Sequence, residues 1–155
     1  MDASHGKYLG VDYGDKRTGL ADCDLSGRFA GAIGTIRESG MRHTAERVAR
    51  EAADRGCKKI VIGLPKNMDG SEGGRVDVIR AFADLLAEMT DIPLDFCDER
   101  MTTVTAYHYL DATGTYGKKR KEAIDALSAE LILQSYLDRE RAQRPGSDKK
   151  DKPIC

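Results

Sequence analysis

A chain of 155 residues with 40% hydrophobic side chains has the size and apolar content of one ordinary domain around a single core. Its 25 basic and 26 acidic residues leave a net charge of -1, which excludes gripping nucleic acid by bulk positive charge and requires a local patch for any such partner. No apolar run approaches the roughly 20 residues of a membrane span, and Met1-Asp2-Ala3-Ser4-His5 lacks the basic-then-apolar layout of a secretion signal, so a soluble cytoplasmic protein is expected.

In chain order, Tyr8-Leu9-Gly10-Val11-Asp12 reads as a buried strand, Gly14-Asp15-Lys16 as a turn, and Thr18-Gly19-Leu20-Ala21 as the start of a second strand, together a hairpin. A glycine- and alanine-rich stretch over about residues 28–36 completes an antiparallel meander. From Thr44 the period changes: Ala45, Val48, Ala49, Ala52 and Ala53 share a helical face, and Gly56 stands at the natural stop. Lys59-Ile60-Val61-Ile62-Gly63 is a short apolar strand halted by Pro65, with a polar, glycine-bearing loop from Lys66 to Gly74 after it.

Ile79, Phe82, Leu86 and Met89 mark a second amphipathic helix, and Ile92-Pro93-Leu94-Asp95-Phe96-Cys97 a fifth strand that runs into Asp98-Glu99-Arg100. A helix is expected from near Thr102 to about Leu110, and a last one over about residues 122–138, where Ile124, Leu127 and Leu131 share a face. Residues 139–155 are charged, carry Pro145-Gly146 and have little to bury, so one domain over 1–138 and a mobile tail are expected. A hairpin meander followed by strand, helix, strand, helix, strand gives an α/β fold with a mixed sheet, antiparallel on one side and parallel on the other, flanked by helices. Cys23, Cys57, Cys97 and Cys155 form no Cys-x-x-Cys pair and read as reduced, mostly buried thiols. His5, His43 and His108 have no ligand spacing.

Acids stand at three places where they are costly unless used: Asp12 at the end of the first strand, Asp98-Glu99 at the end of the fifth, and Asp125 in the last helix. The carboxyl ends of parallel strands line one edge of the sheet, where ligands enter open α/β sheets, and Ser128 and Ala129 are small enough to bring the face of Asp125 close to it. Gathered carboxylates repel unless a cation neutralises them, and oxygen ligands suit Mg²⁺ or Mn²⁺. Two such ions about 3.5–4 Å apart activate a water and stabilise the leaving oxygen in phosphodiester hydrolysis. Taken singly, Asp12 is as readily a turn former, Asp98-Glu99 a cap and Asp125 a first-turn acid serving the helix dipole; only the combination points to a site. Lys118-Lys119-Arg120-Lys121 precedes the helix of Asp125, where the dipole prefers acids, which hints at phosphate contact. Lys66, Asn67, Arg75 and Arg100 are further candidates for touching nucleic-acid backbone.

Four blocks carry a resemblance: Gly10-Val11-Asp12-Tyr13-Gly14-Asp15-Lys16-Arg17-Thr18-Gly19-Leu20-Ala21, Ile62-Gly63-Leu64-Pro65-Lys66-Asn67-Met68-Asp69-Gly70-Ser71, Asp98-Glu99-Arg100-Met101-Thr102-Thr103, and Ile124-Asp125 through Ile132-Leu133-Gln134-Ser135-Tyr136-Leu137. In this order and at this chain length they resemble the family called YqgF or RuvX, over about residues 7–138. The resemblance implies a ribonuclease H-like fold with a five-stranded sheet in the order 3-2-1-4-5, kinship with Holliday-junction resolvases, and a nuclease maturing the 5′ end of pre-16S rRNA. It implies Asp12, one acid of the Asp98-Glu99 pair (Glu99 preferred) and Asp125 as catalytic carboxylates, with Asp12, Glu99 and Asp125 as ligands to Mg²⁺ or Mn²⁺, and structured RNA as partner of a monomer or homodimer. Related resolvases take an acid from the end of strand four, where this chain has Gly63-Leu64-Pro65.

Rival readings are a resolvase cutting DNA junctions and a non-catalytic RNA-binding assembly factor that keeps the fold. The first block also resembles the phosphate-binding hairpin of actin-like and sugar-kinase ATPases. Those clamp nucleotide between two such domains, and 155 residues make only one.

Overall fold

The strand β1 (Lys7–Asp12) pairs antiparallel with β2 (Thr18–Cys23), placing Leu9 opposite Asp22 and Asp12 opposite Gly19. The turn between them closes tightly on Gly14, where a Cβ would lie 2.2 Å from the Arg17 carbonyl oxygen. The Thr18 hydroxyl pins it further, accepting from the Gly14 N–H and donating to the Gly14 carbonyl, each over 3.3 Å. This is a computed structural model, and it describes residues 6–38, 40–65, 73–99 and 118–143, with the side chains of 118–124 left out.

Beyond β2 lies β3 (Ala30–Ile36); then come α1 (Met41–Asp54), β4 (Cys57–Leu64), α2 (Gly74–Met89), β5 (Leu94–Asp98) and α3 (Lys118–Gln143). β4 runs parallel to β1 and β5 parallel to β4, so the sheet reads β3-β2-β1-β4-β5, the mixed order implied above. Gly56, at φ +68°, ends α1 as expected; its N–H reaches the Ala53 carbonyl at 3.1 Å, satisfying a carbonyl the helix leaves open.

Because side chains alternate across a strand, each face of the sheet collects its own core. Leu9, Val11, Leu20, Ile60, Ile62 and Leu64 face one way and pack with Val48 and Ala52 of α1 and Val76, Ile79, Phe82 and Leu86 of α2. Tyr8, Ala21, Cys23, Val61 and Cys97 face the other way and pack with Ala129, Ile132, Leu133 and Leu137 of α3. The spacing of those α3 residues follows the helical period, which is what lays one stripe of the helix along the sheet. Each fully buried Leu, Ile or Phe contributes about 1.5–3 kcal/mol, so both layers are needed.

α3 also tends the sheet's edge. The Ala30 N–H donates to Gln134 Oε1 at 2.8 Å and the Ala32 N–H to Glu130 Oε1 at 3.1 Å, while Gln134 Nε2 donates to the Arg28 carbonyl at 2.7 Å. Backbone groups that an edge strand leaves open are thus satisfied by the helix that crosses it.

Several boundaries differ from the sequence reading. α1 begins at Met41, three residues before Thr44, and β3 at Ala30. α3 begins at Lys118 and reaches Gln143, so residues 139–143, read as the start of a tail, are helical. What holds that extra turn is polar: the Tyr8 phenol donates to both carboxylate oxygens of Glu140 at 2.9 and 3.0 Å, and Lys59 Nζ stands 3.4 Å from Glu140 Oε2. An apolar periodicity carries no trace of such contacts. The helix expected near Thr102–Leu110 and the last residues of the expected tail lie outside the described residues.

Candidate functional site

At the carboxyl end of the parallel strands lies a cavity of about 340 Å³, and Asp12, Glu99 and Asp125 all line it. Each is more than nine-tenths buried, at 8%, 4% and 8% exposure. Asp12 ends β1 between β2 and β4, on the face of the sheet that Tyr8 shares with α3. Glu99 follows β5, and by the two-residue period it falls on the side of Cys97, which packs against α3. Asp98 falls on the opposite side with Phe96, which packs toward α1 and α2, and it does not line the cavity. Sheet alternation thereby separates the two acids that the sequence left together.

Asp125 reaches the site because glycines clear its path. A Cβ on Gly19 would lie 1.9 Å from the Asp125 carbonyl oxygen, and one on Gly63 would lie 2.8 Å from Glu99 Oε2 and 2.5 Å from Ile132 Cδ1. At Gly63, near the end of β4, the space a side chain would fill is taken by the Glu99 carboxylate and by Ile132. Ser128 and Ala129 are fully buried, as expected of small residues on the docked face. The small residues on the sheet side are the other half of that approach, and the sequence reading missed them.

Since α3 starts at Lys118, Asp125 lies two turns in, beyond the first turn where a carboxylate gains from the helix dipole. Capping therefore does not account for it. By the same shift Lys118, Lys119, Arg120 and Lys121 form the first turn of α3 itself, a correction to their reading as a run before the helix; their side chains are outside the described residues. Lys66, Asn67 and Arg100 also lie outside them. Arg75 is placed at the start of α2 on the cavity wall, donating from Nη2 to the Tyr13 carbonyl at 2.9 Å and pairing through Nη1 with Asp15 at 3.2 Å. Its guanidinium lies 5.6 Å over the Tyr13 ring, which is itself stacked on Phe82.

Arg17 and Lys16 line the cavity as well, though the sequence reading took this stretch only for turn and strand start. Arg17 Nε meets Asp125 Oδ2 at 2.6 Å, a charge-assisted hydrogen bond between partly buried groups. A basic residue five positions after a strand-end acid was the available signal. The donor types suit a hard divalent cation, which prefers carboxylate oxygen. Their present spacing does not: among the described residues, no three acidic, histidine or cysteine side chains stand close enough together to hold a metal. Asp125 is engaged by Arg17 instead.

This geometry meets a clear kinship. The family model RuvX, described as Holliday junction resolvase, matches residues 6–139. The chain belongs to the RuvX family. Among RuvX-related proteins, one from Ruegeria sp. is 43% identical over 133 residues, 86% of this chain and 85% of its own length, and carries the provisional name pre-16S rRNA nuclease. A relative of the same provisional name from Heliobacterium modesticaldum is 41% identical over 132 residues, 85% of this chain and 89% of its own. In fold, the chain is similar to Thermus thermophilus RuvC solved with a Holliday junction substrate, at a TM-score of 0.56 and 10% identity, covering 88% of this chain and 96% of that one. RuvX membership makes the chain a nuclease-family enzyme, a hydrolase of phosphodiester bonds, on a ribonuclease H-like sheet. Among the described residues no helix is long and apolar enough to cross a membrane.

Proposed function

We propose that this RuvX-family chain is a metal-dependent endonuclease that trims the 5′ end of pre-16S rRNA in the cytoplasm, with Asp12, Glu99 and Asp125 as its catalytic carboxylates. The observation that carries this reading is their meeting on one cavity from a strand end, a strand-following residue and a helix far apart in sequence. Buried acids of like charge repel and persist together only for a reason, and chemistry on a phosphodiester supplies one. Their oxygens would hold Mg²⁺ or Mn²⁺. Such a cation, when bound, supplies a Lewis acid for the phosphoryl group.

The chain's own cations define where a phosphate would lie. Lys16, Arg17 and Arg75 all line the same cavity as the three acids. Arg75 is braced by the Tyr13 carbonyl and the Tyr13 ring, so it is oriented before any ligand arrives. RNA is preferred to DNA junctions as substrate because the two relatives described above, named for pre-16S rRNA, are 43% and 41% identical, whereas the likeness to RuvC lies in fold.

The test is cleavage of end-labelled RNA carrying a pre-16S 5′ leader, beside a synthetic four-way DNA junction, in Mg²⁺, Mn²⁺ or EDTA. Asp12→Asn and Glu99→Gln are expected to abolish metal-dependent cutting of the RNA while leaving folding and RNA binding in place. Asp98→Asn is expected to cut as wild type does. Full cutting by Asp12→Asn sinks the carboxylate site, and cutting of the junction alone hands the substrate to the resolvase reading. Binding without cutting by every protein, wild type included, would make the chain an assembly factor.

A further inference from the structure

The acid that enters the site from α3 is already neutralised from within. Arg17 Nε stands 2.6 Å from Asp125 Oδ2, and the two side chains are 25% and 11% exposed, so the pair sits at the wall of the cavity and largely out of water. Asp12 and Glu99 line the same cavity and are likewise buried. A guanidinium therefore supplies, at Asp125, the positive charge that a divalent ion would otherwise bring.

The two partners differ in their freedom to move. Asp125 is fixed by its backbone: its carbonyl oxygen occupies the space a Cβ on Gly19 would fill, and the neighbouring Ala126 and Ser128 are buried. Arg17 leaves the β1–β2 turn on a long, flexible stem and keeps a quarter of its side chain in solvent. Exchange at this pair must therefore proceed by the guanidinium swinging away, with the carboxylate staying in place.

We propose that Arg17 is an exchangeable counter-ion: it holds Asp125 while the cavity lacks a divalent cation, and it must release that carboxylate before the cation can be bound there. The released guanidinium remains on the cavity wall with Lys16 and Arg75, where a substrate phosphate is its next partner. The inference rests on Asp12, Glu99 and Asp125 being metal ligands. It adds that the chain itself competes with the metal, which a purely structural ion pair would not do.

The experiment is titration of the full chain with Mn²⁺ alone, followed by calorimetry and by the electron paramagnetic resonance of free Mn²⁺, for wild type, Arg17→Lys, Arg17→Gln and Arg17→Gln combined with Asp125→Asn. Removing the competitor is expected to tighten Mn²⁺ binding by about tenfold in Arg17→Gln, equivalent to ~1.4 kcal/mol. Lysine, a poorer match for a planar carboxylate, is expected to give a smaller gain, so that affinity ranks Gln above Lys above Arg. Asp125→Asn is expected to cancel the gain. Melting temperature gives a second readout: Mn²⁺ should raise that of Arg17→Gln more than that of wild type, and it serves as the deciding readout if the variant folds only with the metal present. Should Arg17→Gln not fold with Mn²⁺ either, the tighter binding expected of Arg17→Lys decides. If wild type binds Mn²⁺ and the Arg17 variants bind it no more tightly, the exchange is wrong while the metal site stands. If none of the four binds Mn²⁺, the metal site itself is wrong and the exchange falls with it.

Discussion

Replacing Gly19 by alanine tests the joint on which the site depends. The added Cβ would lie 1.9 Å from the Asp125 carbonyl oxygen, 2.4 Å from its carbonyl carbon and 3.0 Å from the Ala126 nitrogen. All three are backbone atoms of α3, so no side-chain rotation relieves the overlap. The helix must retreat by about 1.1 Å for the closest contact to reach the 3.0 Å below which Cβ atoms essentially never approach. Overpacking that side chains can absorb costs about 1–3 kcal/mol, and a clash with backbone belongs at the upper end. For a protein of this size about 3 kcal/mol lowers the melting temperature by roughly 6–12 °C. Since Asp125 moves with the helix, a displacement of about 1 Å is also expected to slow cleavage by about 100-fold, beyond what lost stability explains. Gly31→Ala on β3 is the matched control, because a Cβ there meets nothing within 4 Å; it should be neutral or stabilising by up to about 1 kcal/mol. Thermal unfolding by circular dichroism and cleavage assays at a temperature where each variant is folded measure both effects. A Gly19→Ala protein that melts and cuts like wild type would refute the close approach of α3 to β2.

Alkaline stability follows from Tyr8, whose phenol is pushed from 10.0 up to about 12 by burial first, and then by the hydrogen bond and charge of Glu140. Between those values the unfolded chain has lost a proton that the folded chain keeps, so stability is complete below pH about 10 and falls as pH rises through about 12. Urea unfolding at about pH 9 and about pH 11 should show this loss, and Tyr8→Phe should lessen its steepness; an unchanged slope would mean that Tyr8 is not the group responsible. Burial likewise raises the thiols of Cys23, Cys57 and Cys97, that of Cys57 to about 11. At about pH 8 none of these three should react with iodoacetamide in the folded protein, while all should react in urea; peptide mapping that finds folded-state modification at Cys57 would contradict its placement.

Much of this fold was legible because its signals are local. The period-two strands around Val11 and Ile62 and the helical spacing of Ile79, Phe82 and Leu86 each report a buried face, and all these residues are in the core. The limits of α3 were not legible, since Lys118 to Lys121 look like loop composition and the turn around Glu140 is held by Tyr8 and Lys59 from remote strands. At the site, the three acids announced themselves by standing at strand ends and in a small-residue helix. Which of Asp98 and Glu99 faces the cavity depended on strand register, which only pairing with β4 settles. Arg17 was hidden by its setting, because a basic residue after a glycine turn looks solvated until the helix carrying Asp125, 108 positions away, is brought against it. The glycines at 19 and 63 were visible as residues, but their purpose lay in what crosses over them.

The cavity draws Asp12 from β1, Glu99 from the residue after β5 and Asp125 from α3, and among the described residues α3 is the helix that packs on that face of the sheet. Ribosomes release the amino-terminal strand long before the helix that completes this arrangement. A growing or partly opened chain therefore holds Asp12 and Arg17 without Asp125, and the three acids share one cavity only when α3 docks. If they are the catalytic carboxylates proposed above, activity is tied to completion of the fold.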